Sequence, residues 1–280
     1  TGSEIVGLVP LAPMLEAGRH YLRKQGRSTG VSEAEIVECA IQSLGLAELS
    51  PFVAKEKIIE YRVAPEGKFL RDMTLTKFVD ELASESPAPG GGSVAALCGS
   101  LSAALSAMVA NLTFDKKGFE DKKAMMEGVG RDAQRLKQWM LATVDDDMQA
   151  FNRIIDARRM AKASDNEKAL RDAAILEASK AATLTPLSVL QGAPVLLELA
   201  ARVVEHGNPS SLSDGAVAAL VAAAAAEGAY YNVLINLRDF GQSSAEQEFV
   251  SATRGQADKL IEVVRSRSEE IKQLAMAALS

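Results

Sequence analysis

Apolar residues recur at steps of three and four along nearly all of the chain after Thr74. That period predicts helices near 75–84, 93–113, 120–160, 165–206, 211–239 and 244–278. Ser164 with Glu167, and Ser243 with Glu246, have the spacing of capping boxes at two of these starts. Pro186 and Pro194 fall inside the fourth segment and are expected to kink or break it. No convincing strand follows Thr74, so residues 74–280 are read as an antiparallel helical bundle.

The first 64 residues have a different pattern. EIVGLVP reads as a short strand, LAPMLEAGRHYLRKQ as a helix, and SEAEIVECAIQSLG as a helix capped by Ser32 and Glu35 and closed at Gly45. EKIIEYRV alternates like an edge strand. Residues 1–64 are therefore expected to be a small α+β fragment, too short for a good core alone. Residues 65–73, within APEGKFLRDM, read as a linker. The fold class expected for the chain is mainly α.

Composition narrows the function. Hydrophobic residues make up 48% and charged ones 24%, enough to bury a core. The net charge is -6 and the pI about 5.2, which argues against nucleic acid as a partner. Cys39 and Cys98 read as reduced core residues of a cytoplasmic protein. With His20 and His206 they form no group of metal-ligand spacing, so no metal is expected. The N-terminal TGSEIVGLVPLAPM lacks the basic start of a signal peptide. The apolar run from Ala216 to Leu237 is mostly alanine and carries Glu227, Asn232 and Asn236, so it reads as a buried helix rather than a membrane span.

Three segments carry candidate chemistry. In SPAPGGGSVAA, Gly90, Gly92 and Ala95 fit G-x-G-x-x-A, but no strand precedes them and no βαβ unit follows, so a dinucleotide site is set aside. The glycines Gly90, Gly91 and Gly92, followed by Ser93, open a helix whose first N–H groups lack partners. Such an end suits a carboxylate or a polar heterocycle, or is simply a tight turn with Ser93 as N-cap. The helix after it is built of Ala, Ser and Gly and suits close packing against another helix, across a dimer for example.

In LATVDDDMQAF, Met140, Val144, Phe151 and Ile154 share one helical stripe, and Asp147 sits on it. Asp145 and Asp146 read as a solvated face. A carboxylate on a packed side needs a partner or a raised pKa, so Asp147 is either half of a buried ion pair or an acid/base catalyst. Asn232 and Asn236, four apart, place two amides on one face of the last apolar helix. Near the start of that helix stand Asn208, Ser211, Ser213 and Asp214, more polar groups than N-capping requires.

Taken together, SPAPGGGSVAA, VDDDMQAF, NPSSLSDGAV and GAYYNVLINLRD resemble the formiminotetrahydrofolate cyclodeaminase family, over most of residues 70–240. Residues 1–64 look like the end of a glutamate formiminotransferase domain. No transferase activity is expected, since the catalytic histidine region of that domain is not among them. The resemblance implies an all-helical dimer, a folate pocket near the subunit interface, no metal and no redox cofactor. It places the family's D-x-D-x-x-A-F acid on Asp147. Gly90, Gly91, Gly92, Ser93, Asp214, Asn232 and Asn236 become candidates for holding the folate or its polyglutamate. The implied reaction is ring closure of 5-formiminotetrahydrofolate with loss of ammonia, in histidine degradation. The alternatives are a methenyltetrahydrofolate cyclohydrolase on the same fold and a non-catalytic helical assembly module.

Overall fold

The computed structural model describes every residue except Thr1, Gly2, Pro65, Glu66 and Lys68. The expected linker therefore lies partly outside the described residues. The helices are α1 (Leu11–Lys24), α2 (Glu33–Ser43), α3 (Ala54–Lys57), α4 (Ile59–Arg62), α5 (Leu75–Leu82), α6 (Gly91–Phe114), α7 (Lys123–Arg159), α8 (Asp165–His206), α9 (Leu212–Asn236) and α10 (Ser244–Leu279). The chain divides into two compact units, Thr1–Lys68 with Ala107–Gln134, and Phe69–Ser106 with Arg135–Ser280. This division differs from the sequence-based one, because the end of α6 and the start of α7 cluster with the N-terminal residues.

In the first unit, α1 and α2 cross at Gly18, where a Cβ would come within 2.0 Å of the Ile36 carbonyl oxygen. Met14, Val37, Ala40, Ile41, Leu46 and Ile58 form the core. Ser32 caps α2 by accepting from the Glu35 N–H. The reciprocal half of the expected capping box is absent, since Glu35 reaches Arg27 instead. The two expected strands do not form a sheet. Among the described residues they meet in one parallel bridge, Val9 with Ile58, and the helical turns α3 and α4 take up both sides of Ile58. Two paired segments without further neighbours are marginal as a sheet. A short loop docks on the helices of this unit: Asn111 Nδ2 donates to the Gly30 carbonyl at 2.9 Å, and a Cβ at Gly30 would lie 2.7 Å from Gly130 Cα.

The second unit is a bundle in which α9 packs against both α8 and α10. Its core is built from small residues of α6 and α9, such as Ala96, Ala103, Ala222 and Ala226, against Leu190, Leu196, Leu197 and Ile261. Small side chains let the helices approach closely: a Cβ on Gly228 of α9 would meet the Ala95 Cβ of α6 at 3.1 Å. Ser164 and Glu167 form the full capping box at the start of α8. By length and composition alone, α6, α8 and the stretch Pro209–Asp239 are long and apolar enough to cross a membrane. The most apolar windows of α6 and α8 are each 61% buried within the chain, that of the α9 stretch only 39%.

The helix through Pro186 and Pro194 is unbroken, contrary to the expectation of a break. A proline at 186 cannot donate to the carbonyl four residues earlier, that of Ala182. That carbonyl instead accepts from Asn236 Nδ2 of α9 at 2.8 Å. The amide replaces the missing backbone donor and ties the C-terminal end of α9 to the middle of α8. Asn236→Ala is expected to leave a buried acceptor unpaired and to cost about 1–3 kcal/mol. In a Pro186→Ala background the restored N–H should remove most of that cost. A double-mutant cycle by urea unfolding measures it, and additive losses would contradict this account.

Candidate active site

The site assembles where α6 begins. Gly91 is its first helical residue, and the Val94 N–H already reaches back to the Gly90 carbonyl at 3.0 Å. The N–H groups of this first turn have no acceptors within their own helix. Asp147 of α7 supplies one. Ser93 Oγ donates to Asp147 Oδ2 at 2.9 Å and approaches the Val144 carbonyl at 3.3 Å. The Ser93 backbone N–H donates to the same carboxylate.

Space explains the glycines better than backbone freedom does. None of Gly90, Gly91 and Gly92 has a positive φ. A Cβ on Gly92 would sit 2.2 Å from Asp147 Oδ1, a distance no side chain tolerates. A Cβ on Gly91 would meet Asn232 Nδ2 at 3.3 Å. Asn232 in turn donates to the Gly228 carbonyl one turn earlier, at 2.8 Å. Gly91, Gly92, Ser93, Asp147 and Asn232 thus converge, whereas Gly90 lies just ahead of them with only the Pro87 carbonyl oxygen nearby, at 4.0 Å.

Asp147 occupies the position where its stripe leaves the core. Met140 and Val144 below it are buried, and Phe151 above it is exposed. Burial pushes the Asp147 carboxyl above the ordinary carboxylate range, and the two hydrogen bonds from Ser93 offset only part of that. No cation pairs with it among the described residues, in contrast to Asp145. What remains is a half-buried carboxyl, held by one serine and reachable from one side.

Of the two neighbouring acids, one differs from expectation. Asp146 is exposed as expected and helps line a cavity of about 230 Å³ with Trp139, Thr143, Gln149, Arg153 and Thr185. Asp145 is not solvated: it is 1% exposed, accepts from the Leu70 N–H at 2.6 Å, and faces the Arg71 guanidinium at 3.3 Å. It ties the segment before α5 to α7. Periodicity missed this because the covering segment comes from elsewhere in the chain. Its pKa is also raised by burial, with the Leu70 N–H and Arg71 opposing.

Two candidate residues do not join the cluster. Asn236 is engaged with the Ala182 carbonyl. Asp214 stands in the first turn of α9, at the other end of the helix from Asn232. Eighteen residues separate them, about 27 Å at 1.5 Å per residue. Among the described residues no group of His, Cys, Asp and Glu has the arrangement of a metal site.

Comparison with known proteins bears on the family. Residues 74–259 match the formiminotransferase-cyclodeaminase family model, and residues 1–64 match that of the formiminotransferase domain. A formimidoyltransferase-cyclodeaminase from Gallus gallus is 34% identical over 95% of this chain and 49% of its own length. The chain thus spans about half the length of such curated relatives. A methenyltetrahydrofolate cyclohydrolase from Methylorubrum extorquens is 36% identical over 65% of this chain and 88% of its own. The crystal structure of formiminotetrahydrofolate cyclodeaminase from Thermotoga maritima superposes with a TM-score of 0.66 at 26% identity, covering 75% of this chain and all of that one. With a family model covering more than half its residues and a relative matched along nearly its whole length, this chain belongs to the formiminotransferase-cyclodeaminase family.

Proposed function

We propose that this chain is a formiminotetrahydrofolate cyclodeaminase, an ammonia-lyase acting on a folate, and that Asp147 is its proton shuttle. The observation that carries this reading is a part-buried carboxyl held at the start of α6 by Ser93, with no cation beside it among the described residues; burial raises its pKa. The reaction needs a base and then an acid at one place. N10 of the folate attacks the carbon of the protonated formimino group on N5, forming a C–N bond, and its proton passes to the Asp147 carboxylate. The tetrahedral carbon now carries an amino group. Asp147 returns the proton to that nitrogen, the C–N bond breaks, and ammonia leaves with the bond pair. The positive charge remains on the 5,10-methenyl bridge, and the carboxylate is regenerated.

Raising the pKa of a carboxyl makes it a stronger base than an ordinary aspartate while leaving it able to return the proton, which is the direction both transfers need. The attack is intramolecular, so holding N5 and N10 in the closing geometry supplies much of the acceleration. Gly92, against the carboxyl, and Gly91, with the Asn232 amide against it, are assigned to the pterin side of the pocket. A homodimer, a polyglutamate tail on the substrate and a cytoplasmic setting belong to the same reading. A second reading is favoured by the relative from Methylorubrum extorquens: with water in place of the N10 amine chemistry, the same carboxyl would serve a cyclohydrolase. Ammonia release from 5-formiminotetrahydrofolate separates the two.

Asp147→Asn is expected to lower kcat by at least about 100-fold, as loss of general acid–base catalysis does. The same variant should not lower Tm at neutral pH. The folded-state pKa of Asp147 is raised, so the stability this group contributes is present with the proton on and is lost as pH rises through that pKa. Asparagine removes that penalty. A large loss of Tm with kcat retained would make Asp147 a helix cap instead of a catalyst.

The pH profile gives an independent check. The first step needs the carboxylate, so kcat/KM should fall as pH drops through the Asp147 pKa, above the ordinary carboxylate range. Ser93→Ala removes a donor that favours the charged form, so the acid limb should move to higher pH. A limb that moves down, or stays in place, counts against the assignment.

A further inference from the structure

The cavity between α7 and α8 carries charge that the fold does not use. Asp146, Gln149 and Arg153 stand on one face of α7 at steps of three and four, and all three are exposed along the cavity of about 230 Å³. Asp146 and Arg153 have no ion-pair partner among the described residues, and the Gln149 side chain no hydrogen bond. The two charges lie seven residues apart, about 10.5 Å along the axis, too far to pair directly. Asp147 faces the start of α6. Asp146 is turned about 100° from it around α7 and faces α8 instead.

The remaining walls narrow what can enter. Trp139, 39% exposed, lies against α8 at Gly192, where a Cβ would come within 2.8 Å of the indole. The ring is thereby a fixed apolar wall. Thr143 Oγ1 donates to the Trp139 carbonyl at 3.0 Å, Thr185 Oγ1 to the Ala181 carbonyl at 3.1 Å, and Ser188 Oγ to the Thr185 carbonyl at 2.7 Å. With their protons committed, these three oxygens can only accept from a ligand. Along α7 the lining therefore runs from an indole and accepting hydroxyls, past a carboxylate, to a guanidinium.

We propose that this cavity binds a free α-amino acid as its zwitterion, with the ammonium on Asp146 and the hydroxyl oxygens, the carboxylate on Arg153, and an apolar side chain against Trp139. Helical side chains lean toward the N-terminus, so Arg153 reaches back over Gln149 toward Asp146. One small molecule bearing both charges spans the gap that the two side chains leave. A simple anion would meet Asp146 with the wrong sign, and a simple amine would leave the guanidinium idle. The volume is below the range of about 300–1,000 Å³ that holds drug-sized ligands, which favours an amino acid over a folate. The cavity shares no side chain with the Asp147 site, so this binding stands apart from the cyclodeaminase reading.

Trp139 is the one tryptophan of the chain, so its fluorescence reports on the cavity directly. The probes are L-phenylalanine, L-leucine and L-methionine, each titrated into the full chain at neutral pH. At least one should give a saturable change in tryptophan emission with a matching heat of binding. The amine lacking its carboxylate and the acid lacking its amine, phenethylamine and 3-phenylpropionate in the case of L-phenylalanine, should each bind at least about ten-fold more weakly. The same loss is expected for the amino acid with Asp146→Asn or Arg153→Gln chains, since each removes one charged hydrogen bond. Both variants alter exposed side chains and should keep the Tm of the parent. No saturable fluorescence change and no heat of binding with any of the three amino acids overturns the proposal. So does parent-like affinity in either variant, or an amine or acid that binds as tightly as its amino acid.

Discussion

The second unit depends on one contact, the seating of the Asp147 carboxyl against the first turn of α6. A helix start has N–H groups to satisfy, and a half-buried carboxyl has charge to place. Each meets the need of the other, but only if the backbone comes close. Gly92 makes that possible, since any side chain there would overlap the carboxyl. The contact fixes where α6 begins relative to α7 and holds a proton-binding group at a rim where the apolar stripe opens. Because Ser93 compensates only part of the burial, the group stays easier to protonate than a surface aspartate.

The small-residue helices serve the same arrangement. Alanine and glycine on α6 and α9 contribute little hydrophobic surface each, but they let helices approach, as Gly228 does against Ala95. The unit recovers burial through larger side chains on α8 and α10, among them Leu190, Leu196, Leu197 and Ile261. The proline in α8 is accommodated by similar means: Asn236 reaches across to the carbonyl that Pro186 leaves open. Polar groups inside this bundle thus answer backbone needs, and two asparagines one turn apart do different work. Asn232 lies against Gly91 at the start of α6, whereas Asn236 repairs a helix.

Two acids two residues apart also part ways. Asp145 and Asp147 are both disfavoured as anions by burial. Asp145 is enclosed by the segment carrying Leu70 and Arg71, with an N–H and a guanidinium as partners. Asp147 has a hydroxyl and an N–H, no cation among the described residues, and is partly exposed. The first arrangement holds a chain segment in place; the second leaves a proton free to exchange. The difference lies in what covers each side chain, not in the acids themselves.

Much of this was legible in the sequence for a physical reason. Long helices announce themselves through the spacing of apolar residues and through caps, both local properties, so the six helices after Thr74 and the place of Asp147 on its stripe follow from the chain alone. The motifs SPAPGGGSVAA and VDDDMQAF pointed to the family before any coordinates. What the sequence could not decide was everything set by a distant neighbour. The burial of Asp145, the continuity of α8 through Pro186, and the engagement of Asn236 each depend on a group brought in from elsewhere along the chain. The weak pairing of Val9 with Ile58 was invisible for the same reason, because alternation marks a segment fit for a sheet but not whether a sheet is there to receive it. Local pattern determined the elements and the place of Asp147 on its stripe; the tertiary structure alone decided which polar groups found partners, and hence which carboxyl is enclosed by a chain segment and which is held at a helix start.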